Sequence, residues 1–264
     1  MADEEVLYTK EKDIAVITIN RPDRMNAVSW AMQDLINSAL DEARRDDEVR
    51  ALILTGAGRA FCAGTDLSGG MALSAEGGSA QHGPATTDAR RSGWIFTNLA
   101  KPTVAAVNGA AVGMGAEFTI QCDVRVASER ARFGWIFPQR GIVPDTGAGT
   151  YLLPRIVGIS HAAELLFSGE IIDAQEALRI GLVSKVVPHE ELMDAAMAMA
   201  TRLSRGAPLA IRWAKQLMYR GFERDVETHQ EFNRQLLAQC FTTEDHKEGV
   251  QAFLEKREAR FKGR

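Results

Sequence analysis

The sequence predicts an α/β fold, with a mainly parallel sheet in the first part of the chain and a helical region after it. Residues 103–107 (TVAAV) form an apolar run with no polar face, which is typical of a strand buried on both sides. Strand-like and helix-like segments alternate around this run with short links, which favours right-handed crossovers between parallel strands. From residue 188 onward the pattern is helical, and a composition shift at 205–208 marks a boundary, so we predict one unit over 1–205 and a helical unit over 206–264.

Local sequence also justifies the elements before this central strand. Ser29 is a candidate N-cap for a helix, because its hydroxyl can accept a bond from a free amide and an apolar stripe follows it. Residues 68–91 are rich in Gly, Ala and Ser, so they are predicted to form a long loop, either a lid over a site or a tolerated surface insertion. The predicted elements are, in order, a strand at 14–20, the helix after Ser29, a strand at 51–55, loops at 56–67 and 68–91, and a helix at 93–99.

The elements after the central strand follow from the same rules. Asn108 and Gly109 are turn formers that end the strand. Asp173 and Glu176 have the spacing of a helix-capping pair, whereas Asp145 either caps the helix toward residue 153 or supplies an acid to a site. The predicted elements are helices at 113–122 and 161–167, strands at 124–127 and 182–187, a loop at 133–149, and C-terminal helices at 190–203, 208–219, 223–241 and 243–261.

Composition and charge exclude several classes of function. The chain has 264 residues, of which 45% are hydrophobic and 25% charged, as in an ordinary globular protein. A net charge of -4 without a basic cluster argues against nucleic acid as a partner. The acidic, polar start of the sequence and the lack of a long apolar run predict a cytoplasmic protein that does not enter a membrane.

The cysteines predict neither a disulfide framework nor a metal site. Cys62, Cys122 and Cys240 are odd in number and have no CxxC or His-rich neighbourhood. We therefore interpret them as free thiols of a reducing compartment, and we expect no metal ion.

The turn after the central strand leads into a candidate site. Gly113 and Gly115 leave the backbone bare near a predicted helix start, where free amides attract an oxyanion. Glu117 follows, and burial there would raise its pKa and suit it to proton transfer. The alternative interpretation is a helix-packing turn with a solvated glutamate. A dinucleotide site is excluded, because Phe118 stands where the third glycine belongs.

Over almost its whole length the chain resembles the crotonase family, the enoyl-CoA hydratase/isomerase group. The resemblance implies a spiral of ββα units carrying a thioester site, followed by a C-terminal helical trimerisation region, and hence a homotrimer or a dimer of trimers. It also implies an acyl-CoA substrate and no separate cofactor, since coenzyme A enters as the thioester of the substrate. Five segments carry the resemblance: RPDRMNA at 21–27, AFCAGTDL at 60–67, KPTVAAVNGAAVGMGAEFTIQCDVRVAS at 101–128, GIVPDTGAGTYLLPRIVG at 141–158 and EALRIGLVSKVV at 176–187.

The resemblance also implies roles for individual residues. The backbone amides of Thr65 and Met114 match the oxyanion hole, which holds the thioester oxygen as it becomes enolate-like. Met114, Trp135 and Phe137, together with residues 68–91, are expected to line or cover the acyl end. The residues expected to contact substrate or coenzyme A are Arg24, Ala63, Gly64, Asp66, Gly113, Phe137 and Lys262.

The catalytic acids depart from the hydratase pattern. Glu117 matches the first of the two glutamates of a hydratase, but the second falls on Phe137, which cannot transfer a proton. Asp145 matches a position that is acidic in ring-opening and double-bond isomerases and in aryl-CoA dehalogenases. The leading hypothesis is enoyl-CoA hydration with Glu117 and Asp145 as the acid/base pair. The alternatives are isomerisation through Asp145, dehalogenation or thioester hydrolysis with Asp145 as nucleophile, and a non-catalytic CoA-binding protein.

Overall fold

The computed structural model describes residues 4–67 and 94–264, and it has an α/β architecture with two sheets. The predicted lid or insertion at 68–91 lies outside the described residues. Those that are described form ten strands: β1 (Val6–Glu11), β2 (Ile14–Ile19), β3 (Ala51–Gly56), β4 (Ala60–Cys62), β5 (Thr103–Val107), β6 (Ala110–Val112), β7 (Val124–Ser128), β8 (Arg132–Gly134), β9 (Ile171–Asp173) and β10 (Lys185–Val187).

Helices follow the strands and dominate the C-terminal part. In the described ranges, the α-helices are α1 (Trp30–Arg45), α2 (Met114–Gln121), α3 (Ala148–Tyr151), α4 (Leu153–Val157), α5 (Ile159–Ser168), α6 (Ala174–Arg179), α7 (Leu192–Ser204), α8 (Pro208–Gly221), α9 (Val226–Thr242) and α10 (Glu244–Glu255). Short 3-10 helices occupy Pro22–Arg24, Phe137–Arg140 and His189–Glu191.

The larger sheet has the strand order β1-β2-β3-β5-β7-β10 and is parallel except for the β1–β2 hairpin. Apolar residues of α1, such as Met32 and Ile36, pack in the main core on one face of this sheet. On the other face, Leu192 and Ala196 of α7 pack against the outward residues of β3 and β5. Both faces are covered, so every residue of the central strands β3 and β5 is buried and most of them are apolar.

The smaller sheet has the strand order β4-β6-β8-β9, and α2 contacts strands of both sheets. A Cβ atom at Gly109 would overlap the Arg59 carbonyl oxygen, and one at Gly115 would overlap the Cys62 carbonyl oxygen. Glycine therefore allows α2 and the turn before β6 to lie directly against the β4 backbone. This close approach brings the segment after β4 to the beginning of α2.

Several expectations are confirmed, including the strands predicted at 14–20, 51–55, 103–107 and 124–127. Ser29 caps α1 by accepting a bond from Met32 N at 3.3 Å, and Asp173 caps α6 by accepting one from Glu176 N at 2.9 Å. The final strand is shorter than predicted and begins at Lys185.

Other expectations were wrong. Over its described part, 94–99, the predicted helix at 93–99 is instead a turn, and Ile95, Phe96 and Leu99 are buried there by tertiary packing. The predicted loops at 56–67 and 133–149 contain β4 and the end of β8, which are too short to show a clear alternation. Asp145 does not cap the next helix, because α3 begins after Gly147.

The C-terminal helices are joined to the larger sheet through Asp123, which lies just before β7. Its carboxylate accepts bonds from Thr103 N at 2.7 Å, Lys215 Nζ at 2.8 Å and Tyr219 Oη at 2.9 Å. Lys215 and Tyr219 belong to α8, so this buried ion pair fixes α8 against the start of β5. The division at 205/206 remains a prediction. No helix within the described ranges is long and apolar enough to cross a membrane.

Replacing Asp123 with alanine should lower the free energy of unfolding by about 3–5 kcal/mol, because it leaves the Lys215 ammonium buried without its partner. Urea unfolding at fixed protein concentration measures the loss. The control is Asp225→Ala, which removes the exposed N-cap of α9 and should lower the free energy by about 1 kcal/mol. Equal losses in the two variants would contradict the anchoring role.

Candidate active site

Glu117 lies in the first turn of α2 with a completely buried side chain. Gly113 precedes the helix with a φ of 56°, a left-handed conformation that glycine adopts without strain. Every residue of this helix is buried, because the helix lies between the two sheets, so Glu117 points into protein and not into bulk water. The predicted alternative of a solvated glutamate is therefore wrong.

Three donors hold the Glu117 carboxylate. Trp135 Nε1 donates to Oε1 at 2.8 Å, while Thr146 Oγ1 and Gly149 N donate to Oε2 at 2.6 Å and 3.0 Å. A Cβ atom at Gly149 would overlap Glu117 Oε1, so glycine is required at this contact. One carboxylate thus joins α2 to the residue after β8 and to the loop before α3.

Burial raises the pKa of Glu117, and the three hydrogen bonds from Thr146, Gly149 and Trp135 oppose this by stabilising the ionised form. The net effect is a pKa above the ordinary value. Glu117 therefore holds a proton more readily than a solvated glutamate does.

Asp145 lies on the rim of the same region, in a loop whose residues are mostly exposed. Its Oδ2 accepts a bond from the Thr65 hydroxyl at 3.0 Å. Surrounding protein atoms raise the pKa of Asp145 by desolvation, and the Thr65 and Thr146 hydrogen bonds oppose the rise. The side chain of Asp145 is exposed to solvent. The two residues therefore carry the same functional group, a carboxylate, but only that of Asp145 is accessible to solvent.

The backbone amides of Thr65 and Met114 come together near these acids. A Cβ atom at Gly64 would lie 3.6 Å from Met114 N, which places the two segments in contact. Met114 begins α2, so its N–H has no acceptor within the helix. Gly64 O and Asp66 N both bond to Val28, and strand geometry therefore turns the Thr65 N–H to the other side.

The residues expected to contact coenzyme A lie in several separate segments of the chain. Ala63 is exposed and lies beside Thr65, and Arg24 is exposed on its 3-10 helix. Asp66 is buried and pairs with Arg21 NH1 at 2.6 Å, so the structure gives it a role in fixing the segment around Thr65. Lys262 is exposed in the C-terminal tail next to Phe261, whose carbonyl bonds to Arg50.

Within one chain, Lys262 is remote from the other candidate residues. Arg50 lies just before the first residue of β3. The segment that leads to Thr65 follows the last residue of the same strand, at its opposite end. The six residues of β3 span about 20 Å. The structure therefore does not bring Lys262 to the two amides of the same chain.

Phe137 and Trp135 are both part of the core. Phe137 begins the 3-10 helix after β8 and is almost fully buried, and Met114 is also buried. Trp135 is completely buried against Glu117, which corrects the expectation that it lines the acyl end. Sequence reasoning missed Trp135, Thr146 and Gly149 as partners of Glu117. The available signal was the run of small and polar residues from Asp145 to Gly149. Only the fold shows that this run lies against Glu117.

Comparison with known proteins supports the same architecture. The enoyl-CoA hydratase/isomerase family model matches residues 9–264. The chain is 40% identical over 260 residues to the short-chain-enoyl-CoA hydratase of Clostridium acetobutylicum, covering 96% of this chain and 95% of that protein. It is 39% identical to the crotonyl-CoA hydratase of Syntrophomonas wolfei, covering 99% of each. The enoyl-CoA hydratase structure from Bacillus anthracis superposes with a TM-score of 0.89 at 34% identity, covering 99% and 100% of the two chains.

The fold and the paired amides beside a buried carboxylate define a crotonase-type α/β protein. The chain belongs to the enoyl-CoA hydratase/isomerase family. The spiral of ββα units predicted from the resemblance is confirmed by the likeness to crotonase-fold structures.

We expect the free energy of unfolding to decrease as pH rises above 4.5, the ordinary pKa of Glu117. In that range the unfolded chain releases the Glu117 proton while the folded chain retains it, so stability falls with rising pH. The Glu117→Gln variant lacks this contribution, so its stability should fall less between pH 4.5 and neutrality. Urea unfolding of both proteins across this range provides the test, and parallel curves would contradict the raised pKa.

Proposed function

We propose that the protein hydrates the double bond of an enoyl-CoA. One observation carries the proposal. Two carboxylates of different accessibility, Glu117 and Asp145, lie in the same region as the Thr65 amide and the Met114 amide, which begins α2. The family includes hydratases at 40% and 39% identity to this chain, which supports the same reaction class.

The two amides supply the electrostatic part of the mechanism. The Thr65 and Met114 N–H groups hold the thioester carbonyl oxygen, and they stabilise the negative charge that develops there as the enolate forms. Loss of one preorganised donor of this kind typically costs about 3 kcal/mol of transition-state stabilisation. The Met114 side chain does not prevent this role, because the donor is its backbone amide.

The two acids divide the proton transfers. Asp145 faces solvent and accepts the proton of a water molecule as that water attacks Cβ of the substrate. Glu117 has a raised pKa, and among the described residues its Oε1 accepts a bond from Trp135, which leaves the second lone pair of that oxygen for a proton. Donation of this proton to Cα completes the addition of water. Asp145 then releases a proton to solvent and Glu117 takes one up, which restores the starting protonation of both acids.

Isomerisation is the second candidate, and one observation favours it. Phe137 occupies the second acid position and Glu117 is completely buried, so Asp145 is the more accessible of the two carboxylates. A single carboxylate is sufficient to move a proton between Cα and Cγ of an enoyl-CoA without adding water.

Incubation with a panel of enoyl-CoAs in deuterated water, followed by mass spectrometry, separates the two reactions. A mass gain of one water on a panel member supports hydration. Deuterium uptake or a shifted double bond without added water identifies an isomerase, and the absence of any change across the panel would contradict both and favour a non-catalytic CoA-binding protein.

Replacing Asp145 with asparagine should reduce kcat by about 10²- to 10⁴-fold, because the proton acceptor is lost while the loop keeps a side chain of the same shape. The dissociation constant of the substrate should change little, since the two amides remain. Asp173→Asn serves as the matched control, because asparagine also caps α6. Unchanged turnover in Asp145→Asn would remove Asp145 from the mechanism.

We also propose that the protein assembles as a homotrimer or a dimer of trimers through its C-terminal helices. A groove of about 400 Å³ between α8, α9 and α10 is lined by residues that include Trp213, Cys240 and Phe253. Phe253 and Leu254 are 83% and 73% exposed. Adjacent exposed apolar side chains of this size are characteristic of a surface that another protein chain covers.

The Phe253→Asp variant should sediment as a smaller species than the wild-type protein, because a carboxylate replaces an apolar contact in the proposed interface. Analytical ultracentrifugation measures the change. Phe167→Asp is the control, since Phe167 is 79% exposed on α5, outside the C-terminal helices. An unchanged sedimentation coefficient in Phe253→Asp would place the interface elsewhere.

A further inference from the structure

Thr65 presents two different polar groups toward the candidate site. Its backbone N–H is one of the two proposed oxyanion donors. Its hydroxyl makes a separate bond, donating to Asp145 Oδ2 at 3.0 Å across 80 positions of sequence. The proposed function uses the amide alone, so the hydroxyl bond requires its own explanation.

The Thr65 backbone is held firmly in place. Val28 N bonds to Gly64 O at 2.8 Å, and Asp66 N bonds to Val28 O at 2.8 Å. Asp66 itself is buried and paired with Arg21. Thr65 is also β-branched, which restricts χ1 and limits the directions in which the hydroxyl can point.

Asp145 lies at the end of an exposed stretch, and the residue after it, Thr146, is anchored by its hydroxyl bond to Glu117. Ile142 and Val143 just before it are 53% and 76% exposed, although both are large and apolar. Gly147 N bonds to Pro144 O at 3.2 Å, which is a turn contact and does not reach the Asp145 carboxylate. The hydroxyl of Thr65 therefore connects the Asp145 carboxylate to a rigid part of the fold.

The titratable groups that face Asp145 from the described elements are the Glu117 carboxyl on α2 and the Cys62 thiol on β4. Burial raises the pKa of the Cys62 thiol to about 12, so the thiol is neutral over the pH range in which the kinetics are measured. The Thr65 hydroxyl bond lowers the pKa of Asp145 against the larger effect of desolvation. Removing the hydroxyl should therefore raise this pKa further.

We infer that Thr65 is a positioning residue for Asp145, so that one residue aligns the thioester oxygen through its amide and the carboxylate through its hydroxyl. The inference rests on the proposed function, since it assigns the alignment of the same proton acceptor. It predicts that the side chain of Thr65 affects proton transfer at Asp145, whereas its backbone amide stabilises the thioester oxygen.

Three variants test the inference by comparing steady-state kinetics over a range of pH. Thr65→Val keeps the shape but lacks the hydroxyl, and it should lower kcat about tenfold or more with little change in KM. The acid limb of its kcat profile should move to higher pH. Thr65→Ser keeps the hydroxyl and should restore both the rate and the profile. Thr150→Val is the control, because the Thr150 hydroxyl bonds to Gly147 O at 3.1 Å in the neighbouring helix and does not contact the acid.

The outcomes distinguish this inference from the proposed function. A wild-type protein that turns over enoyl-CoA, together with identical pH profiles for Thr65→Val and Thr65→Ser, overturns the positioning role and leaves the function intact. Carboxyl ¹³C NMR titration provides a readout that does not need turnover, with Asp145→Asn used for assignment. A higher Asp145 pKa in Thr65→Val than in Thr65→Ser supports the inference, and equal pKa values contradict it.

Discussion

The structure of the site depends on the burial of one carboxylate in an apolar layer. Water does not reach Glu117, because α2 lies between the two sheets. Burial of its carboxylate is therefore costly unless donors from the protein bond to it. Trp135, Thr146 and Gly149 provide them from two other segments. A group that is costly to bury alone thereby fixes three distant parts of the chain relative to one another. The loop that carries Asp145 is placed by this same requirement, because Thr146 is its next residue.

The two acids illustrate how burial assigns different properties to the same functional group. Desolvation raises the pKa of both acids, but Glu117 is completely buried among its donors, whereas Asp145 is exposed and bonds to the Thr65 hydroxyl and the Thr146 backbone. In the proposed mechanism the enclosed acid donates its proton to Cα of the substrate, and the accessible one accepts the proton of the attacking water. Phe137, which stands at the position where the resemblance leads one to expect a second glutamate, is an almost fully buried apolar ring.

Sequence patterns predicted the parallel strands and the caps at Ser29 and Asp173, because those features depend on neighbouring residues. They did not predict β6 or β9, each of three residues, since pairing partners and not local preference create such short strands. Glu117 and Asp145 were identified from their motifs. The bonds that define them come from residues 18 to 80 positions away, and no local pattern encodes such contacts.

The glycines at which the turn before β6 and α2 lie against the β4 backbone have a consequence for the durability of the site over evolution. At Gly109 and Gly115 the spacing between layers is set by main-chain atoms, which are the same in every sequence. Substitutions elsewhere in the core change side-chain volumes, but they do not alter this main-chain contact. The distance from the Thr65 segment to the first amide of α2 can thus persist while most residues diverge.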